Sequence, residues 1–176
     1  MAQNNTTNRN KLLQEPLFPL TGRAAIYTRT QRTQLLSHDI QGEQSRDLVA
    51  LALEIGYSSE QVVVFEDRFA SGKMALLRRE AMSKLLHDIL EPPPETEPIR
   101  AIFVSSENRL FRDANDVDIT YFIKTCLEHD VTVITPTSEY NFTNPSHVAL
   151  FRFICEQAAQ TIASRLKAGK QRKQQM

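Results

Sequence analysis

Apolar residues fall along this chain in two patterns. Four short runs are rich in β-branched residues and mostly continuous: Ala24-Ala25-Ile26-Tyr27, Val62-Val63-Val64-Phe65, Ile99-Arg100-Ala101-Ile102-Phe103-Val104 and Val131-Thr132-Val133-Ile134. Continuous runs, as opposed to alternating ones, predict strands buried on both faces of a parallel sheet. Helical spacing fills the gaps. Leu48, Leu51 and Ile55 share a face that stops at Gly56, a good C-terminal breaker. Leu77, Ala81, Leu85 and Ile89 form a second stripe, closed by Pro92-Pro93-Pro94, and Val117, Phe122, Ile123 and Cys126 form a third. Val148, Phe151, Cys155, Ala158 and Ile162 predict a long last helix, with Asn144 as its cap and Pro145 in its first turn. This alternation predicts an α/β fold of three layers, with a mainly parallel sheet of four to five strands and right-handed crossovers.

Length and composition set the boundaries. At 176 residues the chain suits one domain. Residues 1–21 are rich in Asn, Thr and Gln around one apolar patch, Leu17-Phe18-Pro19-Leu20, and are expected to be a disordered arm. Residues 22–168 then form the folded domain and 169–176 a basic tail, with the Pro92–Pro98 stretch a rigid surface loop. Basic and acidic residues balance at 21 each, so any attraction for nucleic acid must come from local clusters. No apolar run is long enough to span a membrane, and the polar N-terminus lacks the core of a signal peptide. Cys126 and Cys155 lie far apart and read as reduced core thiols, while His38, His87, His129 and His147 have no metal-ligand spacing. A cytoplasmic domain without metal is expected.

In open α/β sheets the working site lies beyond the carboxyl ends of the strands. Arg29-Thr30-Gln31-Arg32 follows the first run, Glu66-Asp67-Arg68-Phe69-Ala70-Ser71-Gly72-Lys73 the second, and Ser105-Ser106-Glu107-Asn108-Arg109-Leu110-Phe111-Arg112 the third. If the last of these opens a helix, Arg109 and Arg112 share a face. Arg29, Arg109 and Arg112 would converge there, with Arg79 reaching in from the second helix. Forked guanidiniums bind phosphate oxygens and stabilise negative charge. The alternative is that these are solvated surface charges.

The ordered set of these segments resembles the serine recombinases of the resolvase/invertase family. Tyr27-Thr28-Arg29-Thr30-Gln31 is similar to that family's Y-x-R-V-S, and Glu66-Asp67 with Ser71-Gly72 to its E-D-x-x-x-S-G. Arg79 matches its R-x-G-L, Asn108-Arg109-Leu110-Phe111-Arg112 its D-R-L-x-R, Asn144-Pro145 the T-P step before a long helix, and Ile162-Ala163-Ser164-Arg165 the I-x-x-R near that helix's end. The resemblance implies a catalytic domain that cuts and rejoins DNA without metal or nucleotide cofactor. It puts Arg29, Arg79, Arg109 and Arg112 at phosphate-binding positions and gives Ser71 a positioning role. It also implies a dimer through the long helix, whose apolar stripe otherwise reads as plain core. The cluster Arg165, Lys167, Lys170, Arg172 and Lys173 would lie over DNA, or be a solvated helix end.

Two positions depart from the pattern. The nucleophilic serine is Gln31, a carboxamide that cannot form a phosphoester, and the aspartate is Asn108, which cannot shuttle a proton. Thr28 and Thr30 should point to the opposite sheet face from Arg29 and Gln31, and Thr33, Ser37, Ser105 and Ser106 do not occupy the matched position. A recombinase-like domain with impaired strand exchange is expected. The alternative is a non-catalytic, dimerising DNA-binding or regulatory protein derived from a recombinase, paired with itself or with an active relative. Family members carry a further DNA-binding domain, and no such segment precedes Met176. A flavodoxin-like receiver module would need acidic residues where Arg29, Gln31 and Asn108 stand.

Overall fold

In the computed structural model, residues 21–30, 40–68, 70, 74–111 and 116–157 are described, and their strands make one sheet. The strands are β1 (Arg23–Arg29), β2 (Val62–Asp67), β3 (Ile99–Phe103), β4 (Thr132–Ile134) and β5 (Glu139–Tyr140). They lie in the order β2-β1-β3-β4-β5, with β1 to β4 parallel and β5 antiparallel to β4. The helices are α1 (Ile40–Ile55), α2 (Glu80–Leu90), α3 (Glu107–Leu110) and α4 (Asp116–Glu128). Residues 145–157 form α5. This is the α/β architecture that the alternation predicts, with helices on both sheet faces.

Alternation along β1 divides the core in two. Ala24 and Ile26 pack with Leu48, Ala52 and Tyr57 of the α1 side. Ala25 and Tyr27 pack with Met82 and Leu85 of α2, Phe122 of α4 and Phe151 of α5. Among the described residues α1 covers the first face, and α2, α4 and α5 cover the second together with Leu110 of α3. Because both faces of the central strands are covered, the runs are mostly apolar and continuous, while Val64 on the edge strand β2 is 44% exposed. Phe151 is the hub of the thicker layer. Its ring meets Tyr140, Phe142 and Phe111 edge-on at 5.0, 5.2 and 6.1 Å and stacks on Phe122 at 6.2 Å.

Local chemistry sets the element ends. Gly56 stops α1 in the left-handed region (φ 118°), which lets the Tyr57 N–H reach back to the Ala52 carbonyl at 3.1 Å. Gly22 (φ 90°) passes so close to the Pro98 carbonyl that a Cβ would lie 2.5 Å from it. The next residue, Arg23, donates its N–H to that same carbonyl at 2.8 Å, tying the Pro-rich loop to the start of β1. Asn144 caps α5 as predicted, its Oδ1 accepting from the Ser146 N–H at 3.0 Å, with Pro145 as the first helical residue.

Several expectations need correction. Leu77 is 54% exposed and sits in a 3₁₀ turn (Leu76–Arg78) before α2; Leu76 and Met82 take its place in the core. Val117 is 71% exposed, and Ile119 replaces it. In both cases the stripe was extended one turn too early, into the first exposed residues of the segment. β5, two residues long, is too short to register as a periodic run. His147 does structural work, accepting the Asn141 N–H on Nδ1 at 3.0 Å. Phe151 and Cys155 belong to the chain's own core, so the described part of the last stripe is not a partner face. Among the described residues no helix is long and apolar enough to cross a membrane. The expected N-terminal arm, apart from Thr21, and the basic tail lie outside the described residues.

The hub position of Phe151 gives a stability prediction. Phe151→Ala should destabilise the domain by about 3–5 kcal/mol, since several rings lose their common partner and cannot all collapse inward. Urea denaturation followed by circular dichroism measures this, and the neighbouring exposed Phe153→Ala should cost well under half as much.

Candidate functional site

The strand order makes β1 and β3 neighbours although the chain leaves β1 over one face and enters β3 from the other. Ligands of open α/β sheets bind at such switch points, beyond the carboxyl ends of the strands. Arg29 closes β1 there, and α3 follows β3.

Arg29 is only 2% exposed. Its guanidinium fans out to three main-chain carbonyls. Nε donates to Arg109 at 3.0 Å, Nη1 to Ala70 at 3.2 Å and Nη2 to Asn108 at 3.2 Å. The loops after β2 and β3 are thereby pinned to the end of β1. Arg79, 3% exposed, precedes α2 and donates Nε to the Met74 carbonyl at 3.1 Å and Nη1 to the Leu110 carbonyl. The two arginines thus take the carbonyls of 108, 109 and 110, while the Glu107 carbonyl accepts the Phe111 N–H at 3.0 Å. A single helical turn leaves its carbonyls without internal partners, and here every one is accounted for. Cations at a helix carboxyl end are also favoured electrostatically.

A carboxylate completes the frame. Asp67, buried at the end of β2, accepts the Ala81 N–H at 2.8 Å on Oδ1, and the Met82 N–H at 3.2 Å and the Tyr27 hydroxyl at 2.8 Å on Oδ2. It caps α2, where negative charge is favourable. Burial pushes the Tyr27 phenol well above its usual value, the Asp67 charge adds to this, and Arg79 pulls the other way. On the α1 face, the Ser45 hydroxyl donates to Glu66 Oε1 at 2.9 Å and lies 3.5 Å from Thr28 Oγ1. Thr28 therefore faces away from Arg29, as alternation requires.

Among the predicted site residues, Arg29, Arg79, Asn108 and Arg109 come together at this edge. The Asn108 side chain is exposed while its carbonyl is held by Arg29. Solvated surface charge, the alternative for these arginines, does not describe Arg29 and Arg79, which are buried. The helix that would put Arg109 and Arg112 on one face ends at Leu110, with Phe111 extended (φ −131°, ψ 108°). Gln31, Ser71, Arg112, Arg165, Lys167, Lys170, Arg172 and Lys173 lie outside the described residues. Sequence reasoning missed Tyr27 and Asp67 as a buried pair; a polar residue closing an otherwise apolar strand was the available signal. No group of three or more His, Cys, Asp or Glu among the described residues could hold a metal ion.

Residues 24–176 match the family described as Resolvase, N terminal domain. The chain belongs to that family. Its fold is similar to the N-terminal catalytic domain of TP901-1 integrase, at 22% identity over 82% of this chain and 98% of that one, with a TM-score of 0.54. A resolvase family site-specific recombinase from Streptococcus pneumoniae has the same TM-score at 17% identity, covering 88% of this chain and 99% of that one. None of the curated proteins matches. This resolvase-family domain thus holds Arg29 and Arg79 at the carboxyl edge of the sheet through guanidinium hydrogen bonds to main-chain carbonyls of the neighbouring loops.

Two predictions follow from the buried polar frame. Asp67→Ala removes the α2 cap, worth about 1 kcal/mol, and strands the Tyr27 hydroxyl, worth about 1–3 kcal/mol. Urea melts should register both losses, and adding Tyr27→Phe to Asp67→Ala should recover part of the second. Alkaline pH should also weaken the fold. Burial raises the Tyr27 and Cys126 groups strongly. Tyr140 and Cys155 are each pushed up to about 12 from ordinary values of 10.0 and 9.0, burial first and the nearby Glu107 next. The unfolded chain gives up these protons first, so it binds fewer protons than the folded one and stability falls as pH rises. The denaturation midpoint should hold below pH 9 and decline toward 12; a midpoint unchanged across that range would contradict the assignment.

Proposed function

We propose that this resolvase-family domain, of the DNA strand-exchange class, grips duplex DNA by its phosphates and does not cut it. One observation carries the reading: two buried guanidiniums, Arg29 and Arg79, surround the turn that bears Arg109 at the β1/β3 switch point. The carbonyls they engage are dipoles, which leave the guanidiniums' net charge in place. With Arg112 from the same segment and Ser71 as a positioning hydroxyl, this edge suits a phosphodiester.

Cleavage would need a nucleophile held in line with phosphorus. At the serine position Gln31 offers only a carboxamide, whose nitrogen lone pair is delocalised. At the aspartate position Asn108 can hydrogen-bond but cannot carry a proton through the reaction. The covalent step is lost and the clamp remains. Such a domain serves as a dimerising, DNA-binding or regulatory protein in the cytoplasm, with no metal or cofactor. It pairs with a second copy or with an active recombinase. Leu150 and Phe153 stand 48% and 57% exposed on α5, and they suit that contact. The basic run Arg165, Lys167, Lys170, Arg172 and Lys173 adds backbone attraction. Each phosphate neutralised releases counterions, so affinity should be weak, on the order of 10⁻⁴ to 10⁻⁶ M at physiological salt, and indifferent to sequence.

The chain incubated with a nicked suicide duplex should give no protein–DNA adduct, while fluorescence anisotropy on an intact duplex should reveal binding that weakens steeply with salt. Deleting residues 166–176 should abolish that binding at physiological salt, and Arg109→Ala should weaken it at low salt. An adduct mapped to any hydroxyl would overturn the loss of chemistry. Full binding by both variants would overturn the phosphate reading.

A further inference from the structure

The turn that carries Asn108 and Arg109 is held from a third side. Glu107, its first residue, accepts the Tyr140 hydroxyl on Oε1. Tyr140 is fully buried in β5, and its ring packs edge-on against Phe151 of α5 at 5.0 Å. Cys155, one turn further along α5, is buried, which raises its thiol, and the Glu107 carboxylate adds to this. From the other direction Arg29 and Arg79 hold the carbonyls of 108, 109 and 110. The four-residue turn is therefore suspended between two anchors, the arginines on its main chain and the tyrosine on the Glu107 side chain.

We propose that the Tyr140–Glu107 hydrogen bond is a positioning contact that fixes the orientation of the Arg109 turn and makes it responsive to the seating of α5. The proposal rests on the phosphate-binding reading of this edge. A one-turn helix cannot hold its own orientation, because nucleation fixes several backbone dihedrals for a single internal bond. Its direction must come from contacts, and Glu107 supplies the only hydrogen-bonded side-chain contact described between the turn and β5. Tyr140 in turn has its ring set by Phe151, so a shift of α5 moves the phenol and the turn with it. Arg29 is affected because two of its acceptors, the carbonyls of Asn108 and Arg109, belong to that turn. The helix that carries the exposed Leu150 and Phe153 thereby acts on the phosphate edge through the packing of the fold.

The test uses the full chain. Tyr140→Phe keeps the ring and removes the hydroxyl, Glu107→Ala removes the acceptor, and Glu107→Gln retains one. Two quantities are read: the exchange rate of the Arg29 Nε–H by NMR, and affinity for an intact duplex at low salt. Losing one hydrogen bond to a charged group should speed exchange by about tenfold and weaken binding several-fold in Tyr140→Phe and Glu107→Ala, while Glu107→Gln stays near the parent. Backbone amides of β1 should keep their protection, which separates loss of positioning from loss of fold. Unchanged Arg29 exchange in both Tyr140→Phe and Glu107→Ala would overturn the proposal. If exchange responds but neither these variants nor Arg109→Ala changes duplex binding, the positioning contact stands and the phosphate reading fails. Should Tyr140→Phe not fold, Glu107→Ala, altered at a half-buried site, decides alone.

Discussion

Burying the Arg29 charge where β1 and β3 part is the constraint around which the carboxyl edge of this domain is organised. Removing a cation from water costs several kcal/mol unless its donors are met. The chain meets them with the carbonyls of a helical turn too short to satisfy itself and of the loop at Ala70. The dependence is mutual. Without the arginines α3 would present buried, unpaired carbonyls, and without α3 the guanidinium would lack acceptors. Neither half is stable alone, so the edge is specified before any ligand arrives.

The same logic extends outward through Asp67 and Arg79. Asp67 answers to three donors, two on the first turn of α2 and one on β1. That fixes where α2 begins, and with it where Arg79 stands. Arg79 then closes the remaining carbonyl of α3. Sheet, helix and turn are thus joined by a few buried polar groups, each partner holding the next. Such networks are costly when half satisfied and rigid when complete. The apolar layers supply the bulk of the stabilisation, but they are tolerant of small shifts in a way that hydrogen-bond directions are not.

Much of this was legible in the sequence, and the limits have physical causes. Continuous β-branched runs revealed the four parallel strands because both faces of the sheet are covered. Asn144-Pro145 revealed the start of α5 because capping is a local property. Leu77, just before α2, and Val117, in the first turn of α4, misled because an apolar residue at a helix's start matches the periodicity without sharing the burial. β5 was invisible because two residues carry no period. At the site, Arg29, Arg79 and Arg109 could be picked out as cations near strand ends. The burial of Arg29 and Arg79 could not, since it depends on carbonyls 41 and 80 residues away for Arg29 and 31 residues away for Arg79. The Tyr27–Asp67 and Tyr140–Glu107 pairs were missed for the same reason, spanning 40 and 33 residues.

This bears on what a retained arginine cluster means. A nucleophile is one side-chain atom, and exchanging it for a carboxamide deletes the reaction while leaving the rest of the fold its partners. The arginines are different, because they donate to the carbonyls of a buried network as well as being phosphate ligands in the reading argued above. Selection for folding alone would preserve Arg29 and Arg79 long after selection for cleavage had lapsed. Their presence therefore speaks first for the architecture of the edge and only second for chemistry upon it. Arg109 is the more informative residue. Its main chain is held by Arg29, but its side chain is only half-buried, so the fold places weaker demands on it. A guanidinium kept at that position, beside an Asn where the family pattern has an aspartate, is what a domain that still meets phosphate and no longer moves protons would be expected to carry.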